Sequence, residues 1–349
     1  MSTLAALPST VDDLTAAWLT TALGHPVAEV AVRDIIWGTA TKVLVTATYA
    51  DTTTDHLPAN LCVKGGFDER LRGFGVDTAY QTEATFYGSI AAELPIPLPR
   101  CYSATFDGDQ QQGVLVLDDL AAAGCTFGDP LQPWTADRVA AALDVQAAWH
   151  AATFASSAPA ITSVGVGSAP VRAAAAVLLD APHWDAHFAA DTAPELPAAL
   201  QDRERVAGGF RALWARDEAG PVALAHGDAH IGNTYLNAAG HPSFLDWQAV
   251  CRAPMFYDVA YFITGALDPA DRRAHQEDLV RHYLDALASR GGPRVSFDDA
   301  WLDYRRYALH GFLWAVTPPA MQSPERVRAM SDRHTTAIID LDSLEALLG

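Results

Sequence analysis

Apolar positions alternate with polar ones, or run together with β-branched partners, in three stretches near the start of the chain. These are VAEVAVRDIIWG (27–38), KVLVTATYA (42–50) and NLCVKGGF (60–67). A period of two broken by turn-forming segments predicts three antiparallel strands. Ahead of them the spacing predicts a helix over 10–23, with Thr10 as N-cap, Asp12 and Asp13 in the first turn and Gly24 just past the end. Residues 77–94 return to helical spacing, with Tyr80, Ala84, Tyr87 and Ala91 on one face, until Pro95, Pro97 and Pro99 stop the helix. RCYSATF (100–106) and GVLVLDDL (113–120) read as two more strands. Beyond residue 121 the pattern is alanine-rich and helical, apart from a β-like island at 233–248. Strands with one helix, then helices enclosing a hairpin, predict an α+β fold of two lobes. The expected division is a β-rich N-terminal lobe over 1–117, a hinge at 118–122 and a mostly helical lobe over 123–349.

Composition narrows the partners. Half of the 349 residues are hydrophobic, enough for a sizeable core, and the net charge of -19 opposes encounter with nucleic acid or an anionic membrane. An anionic ligand must therefore be gripped by local groups. Cys62, Cys101, Cys125 and Cys251 lie far apart without metal-type spacing, and no apolar run approaches the roughly 18 residues of a membrane span, so a cytoplasmic protein is expected. Only Lys42 and Lys64 among the 23 basic residues are lysines. Where arginine serves almost everywhere, a remaining lysine suggests a position that needs a compact ammonium.

The sharpest chemical signal is HGDAHIGN (226–233), followed by FLDWQ (244–248). TYLNAAGHPSF between them reads as a hairpin turning at Asn237 to Gly240, which would bring Asp246 back towards Asn233. Asp228 precedes Asn233 by five residues, the interval between base and metal-binding asparagine in the kinase pattern H-R-D-x-x-x-x-N. Phosphoryl transfer needs a carboxylate at the acceptor hydroxyl on one side. On the other it needs an amide oxygen and a second carboxylate to hold Mg²⁺ against a triphosphate. Lys64 closes the third expected strand and Glu83 lies in the next helix, the order required for an ion pair that aims an ammonium at phosphates.

On these motifs the sequence resembles the aminoglycoside phosphotransferase and choline kinase superfamily. DWQ, DVAYF (258–262) and EATFYGSIAAELPIPLPRCY (83–102) look closest to its ecdysteroid-kinase-like branch. The resemblance runs in ordered motifs from about residue 35 to 265. It implies a protein-kinase-like fold and transfer of a phosphoryl group from ATP, with Mg²⁺, to a hydroxyl of a small molecule. It further implies Asp228 as catalytic base, Asn233 and Asp246 as metal ligands, and His226 with Asp258 as organisers of the loop. Adenine would bond to backbone groups around Asp118, Asp119 and Leu120. His150 falls at a helical histidine of the family, for which core packing is the plainer role.

One segment departs from the pattern. WGTATK (37–42) has one glycine where the kinase loop has three; amides near Gly38 with the Thr39 and Thr41 hydroxyls fit a phosphate cup, and the segment fits an ordinary hairpin turn equally well. Bland readings stand beside the others: Asp228 as a turn-capping carboxylate, Lys64 as a solvated strand end, Glu83 as an exposed helix charge, His230 as a structural loop histidine. Trp301, Tyr304, Tyr307, Phe312 and Trp314 suit either an acceptor pocket or plain helix core. Two other functions compete with the kinase: a nucleotide-binding pseudokinase, and a metal-dependent hydrolase built on His226, Asp228 and His230.

Overall fold

The computed structural model describes residues 6–50, 57–71 and 77–349. The chain divides into two compact units: the first takes in residues 1–93, 97–126 and 246–248, and the second 94–96, 127–245 and 249–349. The expected hinge at 118–122 lies within the first unit, and so does Asp246, which the chain returns from far downstream.

In the first unit, β1 (Val27–Ile36), β2 (Thr41–Tyr49), β3 (Asn60–Gly65), β4 (Cys101–Asp107) and β5 (Gln112–Asp118) form an antiparallel sheet of order β1-β2-β3-β5-β4. The alternation read from the sequence sets its two faces. Val43, Val45, Leu61, Val63, Val114 and Val116 bury one face against Leu14 and Leu19. Lys42, Leu44, Cys62 and Lys64, the intervening positions, belong to the other.

The helix expected over 10–23 is broken in two. Thr10 and Asp13 cap a 3-10 turn over Val11–Asp13; α1 (Ala16–Leu23) then starts afresh, with the Thr15 hydroxyl accepting from Trp18 N at 3.2 Å and Gly24 closing it at φ +70°. Thr15 is a second good N-cap just downstream, and its extended backbone interrupts the helix. The second expected helix holds as α2 (Asp77–Thr85), followed by a π turn over Phe86–Ile90 and a 3-10 turn over Ala91–Glu93. β6 (Thr126–Phe127) follows.

The second unit is helical, as its alanine-rich pattern predicts. Its first helices are α3 (Ala136–Thr153), α4 (Pro159–Thr162), α5 (Ala169–Leu178), α6 (Ala181–Phe188) and α7 (Arg203–Asp217). Then come the short strands β7 (Ala223–Ala225), β8 (Thr234–Leu236), β9 (Pro242–Phe244) and β10 (Cys251–Ala253). α8 (Phe256–Ala266), α9 (Pro269–Ser289), α10 (Phe297–Tyr307), α11 (Pro324–Asp340) and α12 (Ser343–Leu348) complete it. β8 and β9 form the expected hairpin, turning where Gly240 N–H bonds to Asn237 O at 2.8 Å. β7 pairs antiparallel with β10, a ladder the sequence did not signal because its strands are three residues long. Among the described residues no helix is long and apolar enough to cross a membrane.

Candidate active site

The HGDAHIGN loop leaves β7 through Gly227, whose φ is +85° and where a Cβ would sit 2.0 Å from Ala249 O. Only glycine fits there. Asp258, fully buried in the first turn of α8, accepts from His226 N at 2.7 Å and from Gly227 N at 3.0 Å. His150 Nε2 lies 3.4 Å from the same carboxylate, and its Nδ1 is 2.8 Å from the Tyr283 hydroxyl. His150 thus does more than pack; it braces the group that pins the loop. His226 is buried as well: Nε2 meets Leu245 O at 3.0 Å, so it carries the proton, and Nδ1 accepts from Asp228 N at 3.3 Å.

These contacts present Asp228, whose side chain is 30% exposed. Asn233 ends a 3-10 turn capped by His230, whose Nδ1 accepts from Gly232 N at 3.0 Å. The Asn233 amide nitrogen donates to Asp228 O at 3.0 Å and to Asp228 Oδ2 at 3.2 Å, so its oxygen is turned to the other side. Leu245 N–H donates to Asn233 O at 3.0 Å, tying the end of the hairpin to this residue.

Asp228 Oδ1 has a partner that sequence reasoning did not assign. The Tyr261 hydroxyl donates to it at 3.3 Å while accepting from Trp314 Nε1 at 2.7 Å. An indole N–H can only donate, so the tyrosine proton is directed to the carboxylate. Burial and the negative charge of Asp228 hold the Tyr261 phenol well above its ordinary pKa, which keeps the donor in place. Tyr261 was quoted within DVAYF; its signal was the spacing of three from Asp258, which puts both near one face of α8. Of the aromatic group near the C-terminus, Tyr304, Tyr307 and Phe312 are buried core, and Trp314 alone reaches this network.

In the first unit the predicted lysine and glutamate meet. Lys64 Nζ, buried, lies 2.6 Å from Glu83 Oε1 and 2.7 Å from Asp246 Oδ1. Burial alone would lower the lysine pKa, but the two carboxylates outweigh it and raise it, so the ammonium stays charged. Burial pushes Glu83 upward against the pull of Lys64. Asp246 holds a left-handed backbone at φ +69°, an uncommon state for a residue with a Cβ. Lys42, which received no role from the sequence, reaches the same carboxylate, its Nζ 3.6 Å from Asp246 Oδ2.

The remaining expected nucleotide residues divide. The β1–β2 turn contains Gly38 and Thr39, and Thr39 O accepts from Tyr80 OH at 2.6 Å. Thr41 opens β2 on the face of Val43 and Val45, buried with its hydroxyl unpartnered among the described residues, so it does not share the lysines' face. Alternation accounts for this: a residue next to Lys42 in a strand points the other way. At 118–120 the side chains are structural. Asp118 accepts from Tyr102 OH and Arg100 N, and Asp119, buried, accepts from Ala122 N and pairs with Arg33. The carbonyls of Asp119 and Leu120 take the amides of Ala123 and Cys125 at 3.0 and 2.9 Å. A cavity of about 390 Å³ between α1 and the β4–β5 hairpin is lined by none of the predicted site residues.

The alternative metal centre finds no support in this geometry. His226 spends both ring nitrogens, on Leu245 O and Asp228 N, His230 spends Nδ1 on Gly232 N while its Nε2 lies 3.7 Å from Asp228 Oδ2, and no group of three or more His, Cys, Asp or Glu suited to a metal ion occurs among the described residues.

Residues 171–290 match the ecdysteroid kinase-like family. This bears out the resemblance read from the sequence, on about a third of the chain. Among solved structures, that of spectinomycin phosphotransferase APH(9)-Ia, in complex with ADP and spectinomycin, is similar at 12% identity and a TM-score of 0.50. The alignment covers 95% of this chain and 98% of that one. Macrolide 2'-phosphotransferase MphH from Brachybacterium faecium is similar at 17% identity and a TM-score of 0.48, over 88% of this chain and 96% of that one. Choline kinase LicA from Streptococcus pneumoniae shows 13% identity and a TM-score of 0.47 over 91% and 94%. No curated protein matches the chain. The likeness to the spectinomycin phosphotransferase structure, at 12% identity, establishes the fold, the protein-kinase-like α+β architecture expected from the order of elements.

Proposed function

We propose that this ecdysteroid kinase-like chain is an ATP-dependent phosphotransferase that phosphorylates a hydroxyl group of a small molecule. The observation that carries the reading is the buried Lys64, held at 2.6 Å by Glu83 and at 2.7 Å by Asp246. A buried charge is costly unless it is paired, and this one is paired in the order that phosphate positioning requires. In the proposed reaction Asp228 accepts the proton of the acceptor hydroxyl as its oxygen bonds to the γ-phosphorus. The bond from that phosphorus to the β-bridging oxygen breaks, and ADP leaves. Both Asp228 oxygens are held, by Tyr261 and by Asn233, so the carboxylate is fixed before substrate arrives. His226 and Asp258 hold the loop's backbone and act through it.

Asn233 and Asp246 offer the hard oxygen donors that suit Mg²⁺, and the orientation of the Asn233 amide by Asp228 fits that role. When bound, the ion would neutralise phosphate charge. The ADP and spectinomycin bound in the structure of similar fold accord with nucleotide plus small-molecule acceptor. The four free cysteines accord with a cytoplasmic setting. A pseudokinase is disfavoured because Lys64, Asp228, Asn233 and Asp246 are all present.

ATP consumption measured against a panel of aminoglycosides, amino alcohols, sugars, steroids and other alcohols tests the proposal. Turnover with at least one acceptor, falling about 10²-fold or more in Asp228→Asn with nucleotide affinity kept, is the expected result. Near-normal turnover in Asp228→Asn would remove Asp228 as base.

A further inference from the structure

The only two lysines of the chain stand directly opposite one another, Lys42 in β2 and Lys64 in β3, on one face of the sheet. Like charges directly opposite in an antiparallel pair repel, so this placement needs an anion to sustain it. Asp246 supplies one, with Oδ1 2.7 Å from Lys64 Nζ and Oδ2 3.6 Å from Lys42 Nζ.

The two ammonium groups are not equivalent. Lys64 has a side chain only 4% exposed and is also held by Glu83, so moving it would strand a buried carboxylate. Lys42 is 31% exposed, and its contact with Asp246 is longer than a hydrogen bond. The other basic side chains of the first unit are engaged elsewhere among the described residues: Arg33 with Asp119, Arg70 with Asp68, Arg100 over the Tyr102 ring. A polyphosphate brings several negative charges into a protein of net charge -19. Lys64 is already matched by two carboxylates, which leaves Lys42 as the cation with charge to offer.

We infer that Lys42 is a second phosphate-binding residue, which exchanges Asp246 Oδ2 for a phosphate oxygen of the nucleotide while Lys64 stays fixed. The inference rests on the nucleotide reading above. The exchange also removes the lysine contact from Asp246 Oδ2, an oxygen of the kind that suits a hard cation. A compact ammonium on a flexible stem can make that move; a guanidinium fork fits the cross-strand space beside Lys64 poorly.

The test is calorimetric titration of ATP and adenosine into the wild type and into Lys42→Gln, with and without Mg²⁺. Loss of a charge-assisted contact to phosphate should weaken ATP binding about tenfold or more in Lys42→Gln, already without Mg²⁺, and leave adenosine affinity unchanged. An unchanged ATP affinity would overturn the inference, as would equal losses for ATP and adenosine, which would mark Lys42 as structural. Thermal unfolding of Lys42→Gln checks that the sheet is kept; the substitution removes a repulsion and leaves Asp246 with Lys64. If the wild type binds neither ligand, the nucleotide reading itself fails, an outcome separate from a wild type that binds and a variant that does not differ.

Discussion

Replacing Tyr261 by phenylalanine removes one oxygen from the network that fixes the proposed base. In the wild type that oxygen donates to Asp228 Oδ1 at 3.3 Å and accepts from Trp314 Nε1 at 2.7 Å. A hydrogen bond to a charged group contributes about 1.5–3 kcal/mol, and the long donor distance argues for the lower end. About 1.5 kcal/mol corresponds to roughly tenfold in rate. Asn233 still holds Oδ2, so the carboxylate loses one of two restraints. The expected result is a kcat lowered about tenfold with the KM for nucleotide unchanged, in the ATP-consumption assay with whichever acceptor the panel identifies.

The same change strands the buried Trp314 N–H, at about 1–3 kcal/mol of stability, which thermal unfolding would register. The double variant Tyr261→Phe with Trp314→Phe removes both partners and should recover part of that stability without recovering kcat. This separation of rate from stability is the critical readout. A kcat that recovers together with stability, or a Tyr261→Phe enzyme as fast as wild type while Asp228→Asn is dead, would refute the positioning role.

Three further outcomes are expected. Asp246→Ala should weaken Mg²⁺-nucleotide binding along with turnover, since it removes a metal donor and the anion between two lysines; an unchanged Mg²⁺ dependence of nucleotide affinity, measured calorimetrically, would speak against it. Lys64→Arg should lose most activity because a planar fork replaces a compact ammonium in a buried pocket shaped by Glu83 and Asp246, whereas Glu83→Gln, which leaves the phosphate partners, should cost less in the same assay. Burial holds His310 at a pKa of about 4, well below its ordinary 6.5, with Asp228 and Asp258 offsetting only part of the effect. The unfolded chain therefore takes up a proton between pH 6.5 and 4 that the folded chain refuses, so stability falls as pH drops through that window, by about 3 kcal/mol in all. His310→Gln should flatten this part of the pH dependence of thermal unfolding.

The sequence by itself determined what depends on neighbours along the chain. The apolar and β-branched runs located β1 to β5, because strand-forming residues recur along the chain whatever they later pair with. The tight spacing of HGDAHIGN delivered Asp228, Asn233 and their glycines, because a loop that short needs Gly227 in a left-handed turn. Where two local signals competed, as Thr10 and Thr15 do for one helix start, periodicity alone could not decide and the structure chose both.

Only the tertiary structure decided which distant residues meet. The Lys64–Glu83 pair, 19 positions apart, was expected from the order of elements, but Asp246, 182 positions from Lys64, and Trp314, 53 from Tyr261, were not. Lys42 stands opposite Lys64 because of the β2–β3 register, which the sequence did not reveal, while Thr41 is turned to the opposite face by alternation along β2. Partners at such separations are selected by burial. Leaving an ammonium, an indole N–H or a tyrosine hydroxyl unpaired once packing removes it from water is costly, and the fold, not the local spacing, determines which group is there to pair with it.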